Sequence, residues 1–340
     1  MSHLALKKQK KHKKILITGG AGFIGLHLAK LLSQKPEYEV ILCDNFFRFK
    51  KDHHIKELLQ KDNVELIELD LANKQELAKL GGSYDCVYHL AAINGTRYFY
   101  EIPHQVLRNN VLAEINILDW FIKSNSKKIL FSSSSEAYAG TIKQQGGPIP
   151  TPETVVLSID DVLNPRWSYA GSKIIGELFF VNYARMYKFD MVIIRYHNVY
   201  GPRMGYQHVI PEFIERIYQK ENPFNIYGGQ ETRTFNYVDD AVQMTKKVME
   251  TPKSNGKIIN IGSDEAGEIK IIDLAKELFK IAGYQPEIKI HPAPQGCVLR
   301  RCPDLTLLKE IINYQPKIDL KEGLAKTYKW YLEDLSKSKT

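Results

Sequence analysis

The stretch ILITGGAGFIG, from Ile15 to Gly25, decides the fold expected of this 340-residue chain. An apolar, β-branched run leads into three glycines at three-residue spacing, Gly19, Gly22 and Gly25, and an apolar helical pattern follows. Glycines at a strand-to-helix junction permit a tight turn and let the backbone approach a pyrophosphate, which the free N–H groups of the helix N-terminus attract. The stretch therefore predicts the first strand–helix unit of a dinucleotide-binding sheet.

The N-terminal half of the chain alternates short apolar runs with longer helical stretches, which is typical of a parallel sheet with helices on both faces. Strands are predicted over Ile15–Thr18, Val40–Cys43, Val64–Glu68, Cys86–Leu90, Ile129–Ser132 and Met191–Arg195. Helices are predicted near Ile24–Leu32, Pro103–Lys123 and Ser168–Tyr187. Six strands in this order predict an α/β domain with a Rossmann-like, doubly wound parallel sheet over residues 14–195.

Beyond Arg195 the alternation loosens, and the segments between helices are rich in Gly, Pro and Tyr. Helices are predicted over Pro211–Gln219, Val238–Met249 and Ile271–Ile281. We expect residues 196–340 to form a smaller α/β cap that binds the substrate and is interleaved with the first domain. Residues 144–165 hold four prolines and are predicted to form a long loop, and loops of that length are often functional.

Composition and charge exclude several classes of protein. The chain is 44% hydrophobic and 25% charged, as globular domains are, and its apolar runs are shorter than the roughly eighteen residues of a membrane helix. Six lysines between positions 7 and 14 supply most of the net charge of +8. We therefore expect residues 1–13 to be a disordered basic tail, with no specific nucleic-acid-binding module.

The four cysteines, Cys43, Cys86, Cys297 and Cys302, form no C-x-x-C pair and have no histidine at zinc-finger spacing. This pattern suggests neither a zinc site nor a disulfide framework. We expect buried thiols, no metal and a cytoplasmic location.

Asp44 stands nineteen residues after Gly25, at the end of the second predicted strand. A carboxylate there accepts both hydroxyls of the adenosine ribose and repels a 2′-phosphate, which favours NAD over NADP. Arg48 weighs against that preference. Asp70 ends the third predicted strand, where it either contacts the adenine or caps the next segment.

The residues expected to contact NAD lie in the glycine loop, at the ends of the following strands and on a later helix. They are Gly19, Gly22, Phe23, Ile24, Gly25, Asp44, Asn45, Asp70, Leu71, Leu90, Ala91, Ala92 and Lys173.

Tyr169 and Lys173 form a Y-x-x-x-K pair within WSYAGSK, and no other tyrosine of the chain has a lysine four residues later. Positions i and i+4 share a face of a helix, so the ammonium group lies beside the phenol and favours its ionised form. The spacing alone fits either a tyrosine whose phenolate the lysine favours or a simple surface contact between the two side chains.

The motifs, read as a set, resemble the extended short-chain dehydrogenase/reductases, in particular their nucleotide-sugar epimerase/dehydratase branch. The matching segments follow family order over nearly the whole chain beyond the tail. They are TGGAGFIG, DNFF, HLAA at His89–Ala92, SSSSEAY, YAGSK, RYHNVYGPRM at Arg195–Met204, TRTFNYVDD at Thr232–Asp240, INIG at Ile259–Gly262 and RRCPD at Arg300–Asp304.

The resemblance implies a role for each matching residue. Tyr169 would remove a proton from a sugar hydroxyl, Ser134 would bind the same hydroxyl, and Lys173 would hold the nicotinamide ribose while a hydride passes to NAD. The residues matching positions that hold the nucleotide diphosphate or sugar are Asn198, Arg233 and Arg301.

Glu136 distinguishes the possible reactions, because a 4-epimerase needs no carboxylate after the oxidation at C4. Ser134-x-Glu136 looks like the Thr-x-Glu of dehydratases and glucuronate decarboxylases, where the acid removes a proton at C5 or guides loss of a carboxyl group. Ser135, however, replaces the acid with which one dehydratase class protonates the departing hydroxyl. Elimination or decarboxylation assisted by Glu136 is the first expectation, and 4-epimerisation with a structural Glu136 is the second.

Two further expectations concern turnover and assembly. A chain that binds NAD without turnover is a third alternative, although such chains are expected to lose Tyr169, Lys173 or Ser134. The family's long helices commonly pair across a two-fold axis, so the resemblance implies a homodimer. The run Val106–Phe121, with apolar residues on more than one face, permits such an interface.

Overall fold

The computed structural model describes residues 12–145, 147–264, 267–293 and 298–337. Its strands are β1 (Lys13–Thr18), β2 (Tyr38–Asp44), β3 (Val64–Glu68), β4 (Cys86–His89), β5 (Lys128–Ser134), β6 (Asp190–Tyr196), β7 (Val199–Tyr200), β8 (Phe224–Tyr227), β9 (Thr232–Thr234), β10 (Asn236–Tyr237), β11 (Ile258–Ile261), β12 (Glu268–Lys270), β13 (Ile288–His291) and β14 (Arg300–Arg301). Its helices are α1 (Phe23–Leu32), α2 (His53–Leu58), α3 (Thr96–Glu101), α4 (Pro103–Phe121), α5 (Ala139–Gln145), α6 (Trp167–Tyr187), α7 (Val209–Tyr218), α8 (Val238–Glu250), α9 (Ile271–Ala282), α10 (Thr306–Ile311) and α11 (Leu320–Lys337).

A seven-stranded parallel sheet forms the centre of the protein, in the order β11-β6-β5-β4-β1-β2-β3. The predicted doubly wound α/β fold is therefore confirmed, and each of the six predicted strands is present. The order reverses between β1 and β4, and such a reversal opens a crevice at the carboxyl ends of the strands.

The strands of this sheet are apolar on both faces because helices cover both. Ile15 and Ile17 of β1 are buried in one cluster together with residues of α1 and α8. Leu16 points the other way and packs with Ile117 of α4 and Phe180 of α6. This alternation explains why a continuous apolar run, rather than an amphipathic one, marks the first strand.

The seventh strand comes from beyond residue 195, in the part of the chain that was expected to be interleaved with the first domain. β11 pairs in parallel with β6, so the second half of the chain contributes an edge strand to the first domain. Its short run IINI was recognised as a family motif and was not predicted as a strand. At the other end of the chain, β1 begins at Lys13, one residue inside the predicted tail. The rest of the predicted tail, residues 1–11, lies outside the described residues.

The smaller sheets and the last helices form the cap. β9 pairs with β12 and β14, and β8 pairs with β13. Helix α11 was not predicted from the sequence. It packs against α7 and α9, and its Tyr331 is fully buried. The predicted loop 144–165 begins as the end of α5 and is otherwise irregular. Thr151 ties it to the β14 segment, donating its N–H to the Cys302 carbonyl and accepting from the Asp304 N–H.

Cys43 and Cys86 are buried free thiols, Cys302 is buried as well, and Cys297 lies outside the described residues. In the part of the chain that the structure describes, no helix is both long and apolar enough to cross a membrane. Among the same residues, no three His, Cys, Asp or Glu side chains are grouped so that they could hold a metal ion.

Candidate active site

A cavity of about 420 Å³ opens at the carboxyl ends of the central strands, where the strand order reverses. Every residue expected to contact NAD lines it, from Gly19 on the first strand-to-helix turn to Lys173 on α6. Ser134, Glu136, Tyr169, Asn198 and Arg301 line it as well. The fold thus brings together residues that lie far apart in the sequence.

The glycine turn before α1 has no room for side chains. Gly19 has a φ of 68°, and a side-chain carbon there would lie 2.8 Å from the backbone of Ala91. A side-chain carbon on Gly25 would lie 2.1 Å from the Gly19 carbonyl oxygen. Gly22 caps α1 without a side-chain hydrogen bond, which leaves N–H groups of the first helical turn free for an anionic ligand. This turn therefore fits the pyrophosphate of a dinucleotide.

Asp44 is held at the end of β2 by two backbone hydrogen bonds. The N–H groups of Ala21 and Phe46 donate to its two carboxylate oxygens, at 3.0 and 2.9 Å. Burial raises the pKa of Asp44, and these two donors oppose that effect. Each oxygen keeps a lone pair for a further donor, as the ribose hydroxyls of NAD require.

Asp70 follows β3 and does not cap the next segment, because Asn73 is the capping residue and its side chain accepts the Gln75 N–H. The Asp70 carboxylate accepts the Ala72 N–H at 2.9 Å and so closes the turn after β3. It also lines the cavity.

Tyr169, Lys173 and Ser134 converge on one wall of the cavity. Residues i and i+4 of α6 place the Lys173 ammonium 5.8 Å from the centre of the Tyr169 ring, whose other neighbour is the stacked ring of Phe99. Burial raises the pKa of Tyr169, and a hydrogen bond with Ser134 lowers it. The Lys173 Nζ has no hydrogen-bond partner among the described residues, so it is available to the hydroxyls of a bound ribose.

Glu136 is clamped between two arginines. The short 3₁₀ turn Ser135–Tyr138 after β5 presents it to Arg301, which donates through Nη1, and to Arg166, whose Nη2 lies 3.0 Å away. Burial would raise the pKa of Glu136, but the two guanidinium groups outweigh it and lower the pKa to about 2. A carboxylate in this state is a poor base at neutral pH. The expectation that Glu136 removes a proton at C5 therefore lacks support from its surroundings.

The residues expected to bind substrate do not all line the cavity. Asn198 lines the cavity and has a φ of 37°, an uncommon backbone conformation that asparagine tolerates better than most residues. Its side-chain amide donates to the Thr234 carbonyl at 2.9 Å. Arg233 does not line the cavity; its guanidinium donates to the carbonyl oxygens of Thr232 and Leu299.

Three charged residues of this region were missed in the sequence. Arg166 precedes Tyr169 by three residues and lies at the start of α6 beside Glu136. Its spacing from Tyr169 was therefore a usable signal that it belongs to the site. Arg48 lines the cavity, and its charge lowers the pKa of Tyr169; it was considered only for its effect on NADP. Glu114 lies behind Lys173 on α4, and nothing local marks it out.

Comparisons with known proteins agree with this geometry. Residues 15–262 match the model of the NAD dependent epimerase/dehydratase family. The chain is 35% identical to UDP-N-acetyl-alpha-D-glucosaminuronate decarboxylase of Bacillus cytotoxicus, covering 94% of this chain and 98% of the relative. It is 32% identical to UDP-glucuronic acid decarboxylase 6 of Arabidopsis thaliana, covering 92% of this chain and 86% of the relative.

Among solved structures, the UDP-glucuronic acid 4-epimerase of Bacillus cereus, in complex with UDP-glucuronic acid and NAD, is similar with a TM-score of 0.79. It is 28% identical, and the match covers 94% of this chain and 99% of that one. The family match spans most of the chain, and the glycine turn, Asp44 and the Tyr169–Lys173 pair meet in a single cavity. This chain is therefore a member of the NAD-dependent epimerase/dehydratase family, as its motifs predicted.

Proposed function

We propose that this protein decarboxylates a UDP-linked hexuronate, using NAD to oxidise the sugar at C4 before carbon dioxide leaves from C5. The observation that carries the proposal is the clamped, anionic Glu136 beside Tyr169 and Ser134. The names of the two decarboxylase relatives support the choice of a hexuronate.

In the first step, Tyr169 takes the proton of the C4 hydroxyl, which Ser134 holds through a hydrogen bond. When bound, NAD supplies the acceptor for the hydride that leaves C4 and later returns it. Lys173 favours the phenolate of Tyr169 through its positive charge. All three side chains line the same cavity, so they can act together on one sugar hydroxyl.

The carboxyl group at C5 is then β to a ketone. When the bond between C5 and the carboxyl carbon breaks, its electron pair moves into the ring and negative charge develops on the C4 oxygen. Ser134 and the protonated Tyr169 are placed to donate hydrogen bonds to that oxygen. A solvent proton then adds to C5, and Tyr169 would give its proton back to the C4 oxygen once C4 is reduced again.

Decarboxylation needs no base at C5, and this distinguishes it from elimination. Elimination requires removal of the C5 proton, for which a carboxylate with a pKa of about 2 is poorly suited. The fixed negative charge of Glu136 instead raises the free energy of a sugar carboxylate nearby. It therefore favours loss of that sugar carboxylate as neutral carbon dioxide. We therefore favour decarboxylation over elimination, and Ser135 in place of an acid agrees with that choice.

Substrate binding is the second part of the proposal. Arg301 keeps a buried Nε without a hydrogen-bond partner among the described residues, so it can hold Glu136 and an anionic group of the substrate together. Arg48 adds a second guanidinium to the cavity. We retain Asn198 and Arg301 as substrate contacts. Arg233 joins them only if its side chain turns away from its carbonyl partners.

The second candidate is 4-epimerisation of the same class of sugar. It is favoured by the similarity to UDP-glucuronic acid 4-epimerase and by the full pairing of Glu136, which also suits a purely structural acceptor. In that reaction Tyr169 plays the same part, and the ketone rotates before the hydride returns.

The test is to incubate the enzyme separately with UDP-glucuronate and UDP-N-acetylglucosaminuronate and to weigh the products by mass spectrometry. A product lighter by carbon dioxide supports the proposal, and an isomer of unchanged mass supports epimerisation. No conversion of either sugar would count against both reactions.

We further propose a homodimer formed through α4 and α6 and located in the cytoplasm. Apolar side chains on the outer faces of these helices are exposed, among them Leu107, Leu178 and Met186. A second copy of the chain would cover them. The buried thiols of Cys43 and Cys86 suit a reducing compartment. Light scattering on the purified protein tests the assembly: a mass of one chain would contradict it.

A further inference from the structure

A buried carboxylate lies directly behind the catalytic lysine. The Oε1 of Glu114 is 3.8 Å from the Nζ of Lys173, and each side chain is 1% exposed. Among the described residues, neither oxygen of the Glu114 carboxylate has a hydrogen-bond partner, and the Lys173 Nζ has none either. Each group is therefore the nearest opposite charge that compensates the other's removal from water.

Apolar and aromatic groups enclose this pair. The Lys173 nitrogen lies 4.6 Å from the centre of the Phe131 ring, which stacks on Phe180. A side-chain carbon on Gly176 would lie 2.7 Å from Glu114 Oε2, so the glycine of α6 makes room for the carboxylate. Glu114 does not line the cavity, and it therefore contacts neither cofactor nor sugar.

We propose that Glu114 is a positioning residue, the counter-ion that keeps Lys173 protonated and in place so that Lys173 can stabilise the Tyr169 phenolate. The inference rests on the proposed role of Tyr169 as the proton acceptor of the oxidation. A lysine with no water around it favours its neutral amine unless an anion is close. Burial lowers the pKa of Lys173 and raises that of Glu114 to about 8, and the charge of each partner is the strongest influence against that effect on the other.

The other charged groups around the pair act less directly. Glu177 also raises the pKa of Lys173, but it is committed to Arg195 at 2.7 Å and to the Ser133 hydroxyl at 2.6 Å. His89 of β4 stacks on Phe131, and burial lowers its pKa to about 3, so it is neutral. On the far side of Tyr169 lie Arg48, which lowers the pKa of the phenol, and Glu136, which raises it.

Glu114 has two opposite influences on Tyr169, and they make the proposal testable. Its own charge raises the pKa of Tyr169 directly. Through Lys173 it would lower that pKa by preserving the nearby cation. If the indirect route dominates, removing the charge raises the pKa of Tyr169; if Glu114 does nothing for Lys173, removal lowers it.

The experiment compares the wild-type holoenzyme with Glu114→Gln and follows kcat/KM against pH. We expect the rising limb of the profile to move to higher pH by about one unit or more, which is a tenfold loss of rate at pH values below that limb. Glu114→Asp, which keeps the charge, should recover part of the shift. A limb that stays in place or moves to lower pH in a folded Glu114→Gln enzyme would overturn the proposal.

A second readout keeps this test separate from the identity of the reaction. Ultraviolet titration of the NAD-bound protein, with Tyr169→Phe as the reference, reports ionisation of Tyr169 without any sugar. A higher titration point in Glu114→Gln supports the proposal even if no hexuronate is converted. As a matched control, Asp119→Asn removes a carboxylate from the same helix, where it pairs with Lys74 and accepts the Tyr183 hydroxyl away from Lys173, so it should leave unchanged the part of the titration that Tyr169→Phe removes.

Discussion

Glu136 and Arg301 lie 165 residues apart in the chain and form an ion pair in the wall of the cavity. Two features of the fold create the pair: β5 ends in the turn that carries Glu136, and β14 lies beside β9 at the edge of the cap. Arg166 completes the clamp from the start of α6. The carboxylate is thereby fixed as an anion next to the residues that oxidise the sugar.

Replacing Glu136 should affect turnover far more than cofactor binding. Glu136→Gln removes the charge and deprives the guanidinium groups of Arg301 and Arg166 of this carboxylate, so we expect kcat to fall on the order of a hundredfold. The measurement is steady-state turnover, with NAD affinity determined in parallel by titration. Glu268→Gln is the matched control, because it breaks the neighbouring pair with Arg300 outside the cavity. Equal losses in both variants would mean that only local packing was disturbed.

The clamp also predicts a pH dependence of stability. The pKa of Glu136 is about 2 in the folded protein against an ordinary value of 4.5. A carboxyl group with a depressed pKa stabilises the fold fully above its ordinary value, and the contribution is lost as the pH falls towards the folded value. The difference in unfolding free energy between wild type and Glu136→Gln should therefore be constant at neutral pH and shrink between pH 4.5 and about 2. Urea unfolding at a series of pH values measures it, and a difference that grows on acidification would contradict the assignment.

The glycine turn gives a prediction about cofactor binding. A methyl group on Gly25 would lie 2.1 Å from the Gly19 carbonyl, so Gly25→Ala must displace the turn that receives the pyrophosphate. We expect NAD affinity to fall at least about tenfold, since misplaced N–H groups lose hydrogen bonds to a charged ligand. Gly82→Ala is the control, because the nearest atom to a new methyl group there is 3.8 Å away. Unchanged NAD binding in a folded Gly25→Ala protein would exclude this turn as the pyrophosphate site.

Arg48 is expected to attract the anionic sugar nucleotide. It lines the cavity, and its charge lowers the pKa values of Asp44 and Tyr169 there, so we expect it to attract an anionic ligand as well. Arg48→Gln should raise the KM for the UDP-sugar about tenfold. Lys51→Gln, which removes an exposed charge from the same loop, should leave KM unchanged. The proposed contact would be refuted if both variants had the KM of the wild type.

The parts of the site that could be predicted from sequence are those fixed by local geometry. The glycine turn needs only a strand followed by a helix, and Tyr169 and Lys173 meet because they are one helical turn apart. The partners of Glu136 and Lys173 could not be predicted in this way. Arg301 reaches Glu136 only once β14 is placed, and Glu114 meets Lys173 only because α4 packs on α6.

The fold could be predicted to a similar extent, and the elements that were not predicted also depend on tertiary contacts. The strands β1 to β6 can be predicted from their apolar runs. The strand β11 is only four residues long and is recognisable as a strand only through its pairing with β6. The helix α11 was missed because its sequence is polar apart from a narrow buried stripe that includes Leu324 and Tyr331. Arg233 matched a family motif, yet backbone carbonyls occupy its guanidinium.

The most direct test of decarboxylation is to run the reaction in deuterium oxide and to locate the label in the product by NMR. Loss of the carboxyl group leaves a carbanion at C5 that must take a solvent proton, so the account predicts a pentose product with one deuterium at C5. A hexuronate isomer with no deuterium would contradict it and would make the enzyme a 4-epimerase, with Glu136 serving only to hold Arg301 and Arg166 in place.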